Sequence, residues 1–321
     1  MPAVTPTQLR AFVTVVRLGS VKRAAAELGV TEAAVSGHVA QLRKELDDPL
    51  FTRAGAGLAF TPGGLRLASR GVELLGLADQ TVREVSQAGH GRRLLRLSAS
   101  SLFAEYAAPG LIELFAGRAA DLEVELTVVP PSQLGTLVGS RAADVAIGPQ
   151  PRELPEELVG VPFLKYQVVL VARPGHQLAG VRARPAQLRE QVWLLGPSAV
   201  DRDGVVPAML RTFDVPERNQ RIFQNHAAAL EEAQRGSGVA PALAFGVSEE
   251  LAAGRLARVE GRGTHADGVW TAISLPTHSR LATSSELMRF LTTPRATQAM
   301  LHGAGADVGR FRPSVHVTLW S

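Results

Sequence analysis

The sequence predicts a multidomain chain: an N-terminal all-α winged helix-turn-helix, a long linker helix, and a C-terminal two-lobed α/β domain. Three observations carry this. The stretch Val21 to Ala40 reads as helix, tight turn, helix. A proline-free apolar pattern runs from Thr61-Pro62 to about Gly91. Beyond it, strand-like and helix-like segments alternate, as they do where parallel strands are joined by helices.

The helix-turn-helix has local signals at each end. Ser20 and Thr31 each offer a side-chain oxygen to the free amides of a following helix. Gly29 stands where a helix C-terminus needs a left-handed residue. Ala24, Ala25 and Leu28 share one face, and Val30 is expected to plug the corner. Ala34, Val35, His38, Val39 and Leu42 recur at helical spacing after Thr31, leaving Ser36, Gly37 and Gln41 outward. Two short helices crossing at a glycine turn form the unit that sets its second helix in a DNA major groove. Leu9, Phe12, Val15 and Val16 form the stripe of a preceding helix. Leu50–Arg53 and Leu58–Thr61 read as a hairpin wing around a glycine-rich tip, which completes a first unit at 1–61.

The linker helix, 62–91, repeats Leu65, Ala68, Val72, Leu75, Val82 and Val85 at three- and four-residue steps, interrupted by Asp79. Such a stripe is close to a coiled-coil seam and needs a partner helix or its own domain to cover it. The α/β domain, 92–300, opens with strand 94–99, helix 104–116, strand 124–129, helix 132–141 and strand 144–148. A strong strand from Tyr166 leaves the first lobe (about 92–165 and 267–300) for the second (about 166–266). There 192–196, 221–225 and 238–245 read as strands and His226 to Arg235 as a helix. Gly268 to Pro276 returns to the first lobe and Leu281 to Leu291 closes it. In the extension, 301–321, Val315, Val317 and Leu319 alternate with polar neighbours or Trp320, the pattern of an added edge strand.

Leu9, Phe12, Gly19-Ser20, Ala24-Ala25, Leu28, Ala34-Val35-Ser36, Leu42, Leu46, Leu50-Phe51, Arg53 and Thr61-Pro62-Gly63 follow one another in a familiar order. In order and spacing the chain resembles the LysR-type transcriptional regulators, densely over the first sixty-odd residues and more loosely to about residue 295. The resemblance implies a periplasmic-binding-protein-like C-terminal domain with a small effector in its inter-lobe cleft. It implies an antiparallel dimer through the linker helix, and a homodimer or homotetramer bound to double-stranded DNA. RNA polymerase is a further candidate partner. The resembled activity is a ligand-responsive regulator, not an enzyme; the alternative is a solute-binding sensor whose DNA-binding unit is degenerate.

Candidate DNA contacts are Lys22, Arg23, Thr31, Glu32, Ser36, His38, Gln41 and Arg53. The family commonly carries Ser-Gln in the first turn of the recognition helix and Ser-Arg a few residues later. Here the pairs are Thr31-Glu32 and Ser36-Gly37. Thr31 keeps the cap. Glu32 can only accept, for instance from cytosine N4, where Gln pairs with adenine. It also sets a negative charge near phosphates, which weakens sequence-independent binding. A solvated acid favouring the helix dipole accounts for Glu32 without DNA. The wing is plain, with Arg53 as its main cation.

Candidate effector contacts lie where strands meet helices, because free amides converge there on anions. Ser100 and Ser101 follow the first strand, Ser132 follows Pro130-Pro131, and Ser198 follows Pro197. Asn225 and His226 open another helix. By resemblance Ser100 and Ser101 lead for a carboxylate; an ordinary helix cap explains Ser and Asn at such junctions equally well.

Composition excludes more than it assigns. Lysine and arginine number 34 against 30 acids, a formal charge of +4 that many enzymes share. The absence of cysteine excludes disulfides and thiol chemistry, and fits a reducing, cytoplasmic setting. No apolar run reaches the roughly 20 residues of a membrane span. Gly236 to Ala240 lacks the full dinucleotide fingerprint. There is no phosphate-binding loop and no G-x-S-x-G elbow, and the eight histidines show no metal spacing. No cofactor is expected. Asp201 and Asp203 are read as caps of the helix that follows them.

Overall fold

The computed structural model describes residues 4–54, 57–201 and 204–302. The chain divides into two compact units, residues 1–90 with 139–142, and 91–138 with 143–321.

In the first unit, α1 (Pro6–Leu18) starts with a capping box. Thr5 Oγ1 accepts from the Gln8 amide at 3.3 Å, and Gln8 Oε1 accepts from the Thr5 amide at 2.8 Å. Then come α2 (Val21–Leu28) and α3 (Glu32–Leu46), capped by Ser20 and Thr31 at 3.3 and 3.1 Å. Gly19 and Gly29 end the first two helices in the left-handed region at φ 63° and 64°. Asp47 does so for α3 at φ 49°, a conformation Asp tolerates better than most side chains. Phe12, Val15, Ala24, Ala25, Val35, Val39 and Leu42 close the three helices around one core. Val30 departs from expectation. It is 46% exposed and does not plug the corner, which small Ala24 and Ala25 close without it.

The wing is the antiparallel pair β1 (Phe51–Ala54) and β2 (Gly57–Phe60), with Phe51 opposite Phe60. Phe51 stacks on Phe12 with centroids 6.2 Å apart, which ties the wing to α1. Arg43 lies over the Phe51 ring and donates to the Phe51 carbonyl at 2.8 Å. Asp48 accepts from the Leu50 amide (2.6 Å) and the Thr61 hydroxyl (2.7 Å), and Thr61 Oγ1 accepts from the Gly64 amide (2.9 Å). This chain of bonds aims α4 (Pro62–His90) off the end of the wing. A Cβ on Gly64 would sit 2.0 Å from the Leu50 carbonyl oxygen, so the first turn of α4 needs glycine there. Leu65, Leu74, Leu77, Val82 and Val85 of α4 are exposed. Asp79, the break in the apolar seam, pairs with Arg10 at 3.2 Å.

The second unit is built on a mixed seven-stranded sheet. Its first lobe holds β3 (Arg93–Ala99), α5 (Ser101–Tyr106), α6 (Ala108–Ala116), β4 (Leu122–Val128), α7 (Pro131–Gly139) and β5 (Val145–Pro149). β3 runs parallel to both β4 and β5. The long β6 (Val159–Ala172) then leaves for the second lobe. The helix expected over 104–116 is two helices. Pro109 has no amide hydrogen and its ring clashes with the carbonyl four residues back, so the ladder breaks at Ala107. The break leaves Glu105 in the last turn of a short helix.

The second lobe contains β7 (Arg182–Ala183), α8 (Pro185–Arg189), β8 (Trp193–Leu195), a 3-10 turn Pro197–Val200 and α9 (Val205–Thr212). It continues through β9 (Gln220–Ile222), α10 (His226–Arg235), β10 (Ala240–Leu243), α11 (Ser248–Ala252), β11 (Ala257–Arg258) and β12 (Glu260–Gly261). β13 (His265–Ser274) returns antiparallel along β6 and then pairs antiparallel with β5. The sheet is therefore not wholly parallel, because the returning strand enters the first lobe from the opposite end. α12 (Ala282–Leu291) follows, and α13 (Pro294–His302) is a helix that sequence periodicity did not single out.

The two crossing strands meet at an aromatic core. Trp270 stacks on Tyr166 (4.5 Å) and meets the edges of Phe103 (5.0 Å) and Phe245 (6.1 Å). On the other face Leu134, Val138, Ala146, Leu158 and Ile273 close α7 onto the sheet. The predicted edge strand at 315–319 lies outside the described residues. Among the described residues, no helix is long and apolar enough to cross a membrane.

Candidate nucleic-acid interface and effector cleft

The face of α3 turned away from the core carries Thr31, Glu32, Ser36, Gly37 and Gln41, all exposed, while Val35, Val39 and Leu42 are buried. His38 is half-buried at the margin. Thr31 is committed to capping, and Gln41 Nε2 donates to Glu45 at 2.8 Å. Lys22 and Arg23 are exposed on α2; Arg23 reaches back to the Leu18 carbonyl. The backbone of Arg53 lies in β1, and its side chain is outside the described residues. Arg43, in the last turn of α3, is engaged with Phe51.

In the second unit, the sequence-predicted residues stand on unequal terms. Ser100 is the N-cap of α5, yet its hydroxyl makes no cap bond and is buried without a partner. Ser101 is half-buried and Ser132 exposed. Asn225 is a working cap, accepting from the Ala228 amide at 2.8 Å. Ser198 and His226 are both buried, and Ser198 Oγ lies 2.9 Å from His226 Nε2. His226 Nδ1 lies 2.6 Å from Glu105 Oε2. Glu105 also accepts from the backbone amides of His226 (2.9 Å) and Ala227 (2.7 Å).

Glu105 is the residue that sequence reasoning missed. It sits 121 positions from its partner, in a helix whose local pattern explains it as an ordinary polar position. Burial alone would raise its pKa; the bonds from His226 and the two amides outweigh that and hold the carboxyl below its ordinary value. The Tyr106 ring meets His226 edge-on at 5.9 Å, and burial, with Glu105 and Glu250 nearby, raises its phenol. Asp201, expected to cap the next helix, does not: α9 begins at Gly204 with no side-chain cap. Asp203 lies outside the described residues. Asp201 ends the 3-10 turn beside Ser198, where burial pushes its carboxyl up to about 6 against the opposing charge of His226.

Two family descriptions match the chain. "Bacterial regulatory helix-turn-helix protein, lysR family" covers residues 6–65, and "LysR substrate binding domain" covers 88–294. The chain belongs to the LysR family. It is a LysR-type transcriptional regulator, not an enzyme, with a helix-turn-helix DNA-binding domain and an effector-binding domain. An uncharacterized HTH-type transcriptional regulator of Mycobacterium tuberculosis is 58% identical to it, over 99% of this chain and 100% of the relative. The RuBisCO operon transcriptional regulator of Allochromatium vinosum is 30% identical, over 80% of this chain and 85% of the relative. The fold is similar to that of ArgP from Mycobacterium tuberculosis, with a TM-score of 0.61 at 19% identity, covering 89% of this chain and 97% of that one.

In this LysR-type regulator the series Ser198–His226–Glu105 has the order of a hydrolase relay. Its serine, however, is sealed in a 3-10 turn, and its carboxylate comes from the other lobe. The arrangement joins lobes.

Proposed function

We propose that this regulator reads its operator with the exposed face of α3, and that its base preference departs from the common family pattern at Glu32. The observation that carries the reading is the burial pattern of α3. Thr31, Glu32, Ser36 and Gln41 face solvent at the spacing of a helix lying in a major groove, on a framework whose caps and core are complete. Lys22, Arg23 and Arg53 supply phosphate contacts, His38 stands at the margin, and Glu32 accepts from cytosine N4. The exposed apolar residues of α4 support dimerisation through that helix. A dimer then spans half-sites about one helical turn, ~10 bp, or a multiple apart. A small effector held near Ser100 and Ser101, with Ser132 at the margin, acts by favouring one assembly geometry over another.

The test is fluorescence anisotropy of the full chain on DNA from upstream of its own gene, across a salt series, beside a scrambled duplex. Tight binding to the first alone is expected. Glu32→Gln should shift the preferred base from cytosine toward adenine, a change of ~1–3 kcal/mol in discrimination. An unchanged preference removes Glu32 as a base reader. Equal weak binding to both duplexes, with a failed random-sequence selection, leaves a solute-binding sensor with a degenerate DNA-binding unit.

A further inference from the structure

The first turn of any helix leaves amides without partners, and they attract anions. In α10 these amides are already taken. Asn225 holds Ala228, and a single carboxylate, that of Glu105, holds both His226 and Ala227. The same carboxylate holds the His226 ring at 2.6 Å, and the ring's far nitrogen meets Ser198 at 2.9 Å. His226 and Ser198 belong to the second lobe and Glu105 to the first. Glu105 and His226 lie 121 positions apart in the chain, and the Tyr106 ring of the first lobe packs edge-on against the same histidine at 5.9 Å. The side chain of His226 is 5% exposed and that of Glu105 is 24% exposed, so water competes weakly for their charge-assisted bonds.

We propose that Glu105 is an inter-lobe latch: a carboxylate of the first lobe, acting as a tethered ligand in the anion-accepting start of α10, holds the second lobe against the first. The lobes therefore close on themselves without an external anion. A ligand carboxylate directed at α10 must first expel Glu105. The unpartnered Ser100 hydroxyl, in contrast, takes no part in the latch.

The test needs neither DNA nor a known effector, so it fails independently of the regulatory reading. The chain has no cysteine. Gln133→Cys on α7 and Arg218→Cys before β9, both at exposed positions on different lobes, therefore accept spin labels without background. Labelled chain is mixed with excess unlabelled chain, so that distances within one chain are read by double electron–electron resonance. With Glu105 intact, a narrow distribution is expected. Glu105→Ala should lengthen the mean distance and widen the distribution. Glu105→Gln, which keeps the shape but turns an amide N–H₂ toward donors, should do the same to a smaller extent. Added formate should raise the melting temperature of Glu105→Ala, relative to chloride at equal ionic strength, by refilling the vacated amides. It should not restore the distance, because formate is not tethered to the first lobe. Unchanged distances in either folded variant overturn the latch. If Glu105→Ala fails to fold, Glu105→Gln alone decides by the same distance.

Discussion

Asp201→Asn should stabilise the effector-binding unit, and only above a definite pH. Burial raises the Asp201 carboxyl from 3.8 to about 6, against the charge of His226. The folded state thus binds a proton more tightly than the unfolded state does. Stability falls as pH rises from about 4 through about 6, and the full penalty remains above that window. A shift of about two pKa units corresponds to ~3 kcal/mol at ~1.4 kcal/mol per unit. Partial access of water to the carboxyl brings the expected gain to about 1–2 kcal/mol. For a domain of this size that is roughly 2–8 °C in melting temperature. Asn keeps the side chain's shape and removes its proton equilibrium. The assay is thermal unfolding of wild type and Asp201→Asn side by side across pH. Their difference should be near zero at about pH 4, grow through the window and level off above about pH 6.5. Glu105 titrates in both proteins and cancels from the difference. A gain that does not vary with pH, or a loss at pH 8, would refute the reasoning, because each would mean that Asp201 is stabilising where it stands.

Two further perturbations test the packing beneath each site. Asp144 accepts from the Arg96 amide at 2.8 Å and pairs with the Arg96 guanidinium, its side chain only 4% exposed. Asp144→Ala leaves that cation half-buried and unpaired and should cost about 3–5 kcal/mol, read as a lowered urea midpoint; a loss under 1 kcal/mol would show that water already solvates Arg96. Gly64→Ala places a methyl 2.0 Å from the Leu50 carbonyl oxygen, so the wing and the start of α4 must separate. The DNA-binding unit should lose about 1–3 kcal/mol, and an unchanged melting temperature would show that this junction yields freely.

Local chemistry made the first unit legible. Ser20, Thr31 and Gly29 announce helix ends by what their own side chains, or lack of one, can do, and each does so in the structure. Apolar spacing says which residues can be buried, not which are: Ala24 and Ala25 are buried at the corner while Val30 stands 46% exposed. The α/β order was legible for the same reason, down to α10 starting at His226. The break at Ala107 was available in Pro109, whose missing amide ends a ladder regardless of the apolar pattern around it. The mixed strand directions depend on where β13 re-enters, which no local pattern encodes.

The effector-binding unit shows the limit of residue type as evidence. Ser198, Asn225 and His226 attracted attention as groups at strand-to-helix junctions, where amides bind anions. The amides do bind an anion, and it is the chain's own. Glu105 carries no signal in sequence, because its function comes entirely from a partner reached by folding, 121 positions away. Ser100 gives the converse case. It has the sequence of a helix cap, yet its hydroxyl stands buried and without a partner. A buried hydroxyl without a bond is unfavourable in the folded state. A ligand that supplies the missing partner relieves that at no further desolvation of the serine. A ligand aimed at α10 would have to break bonds already made before it made any.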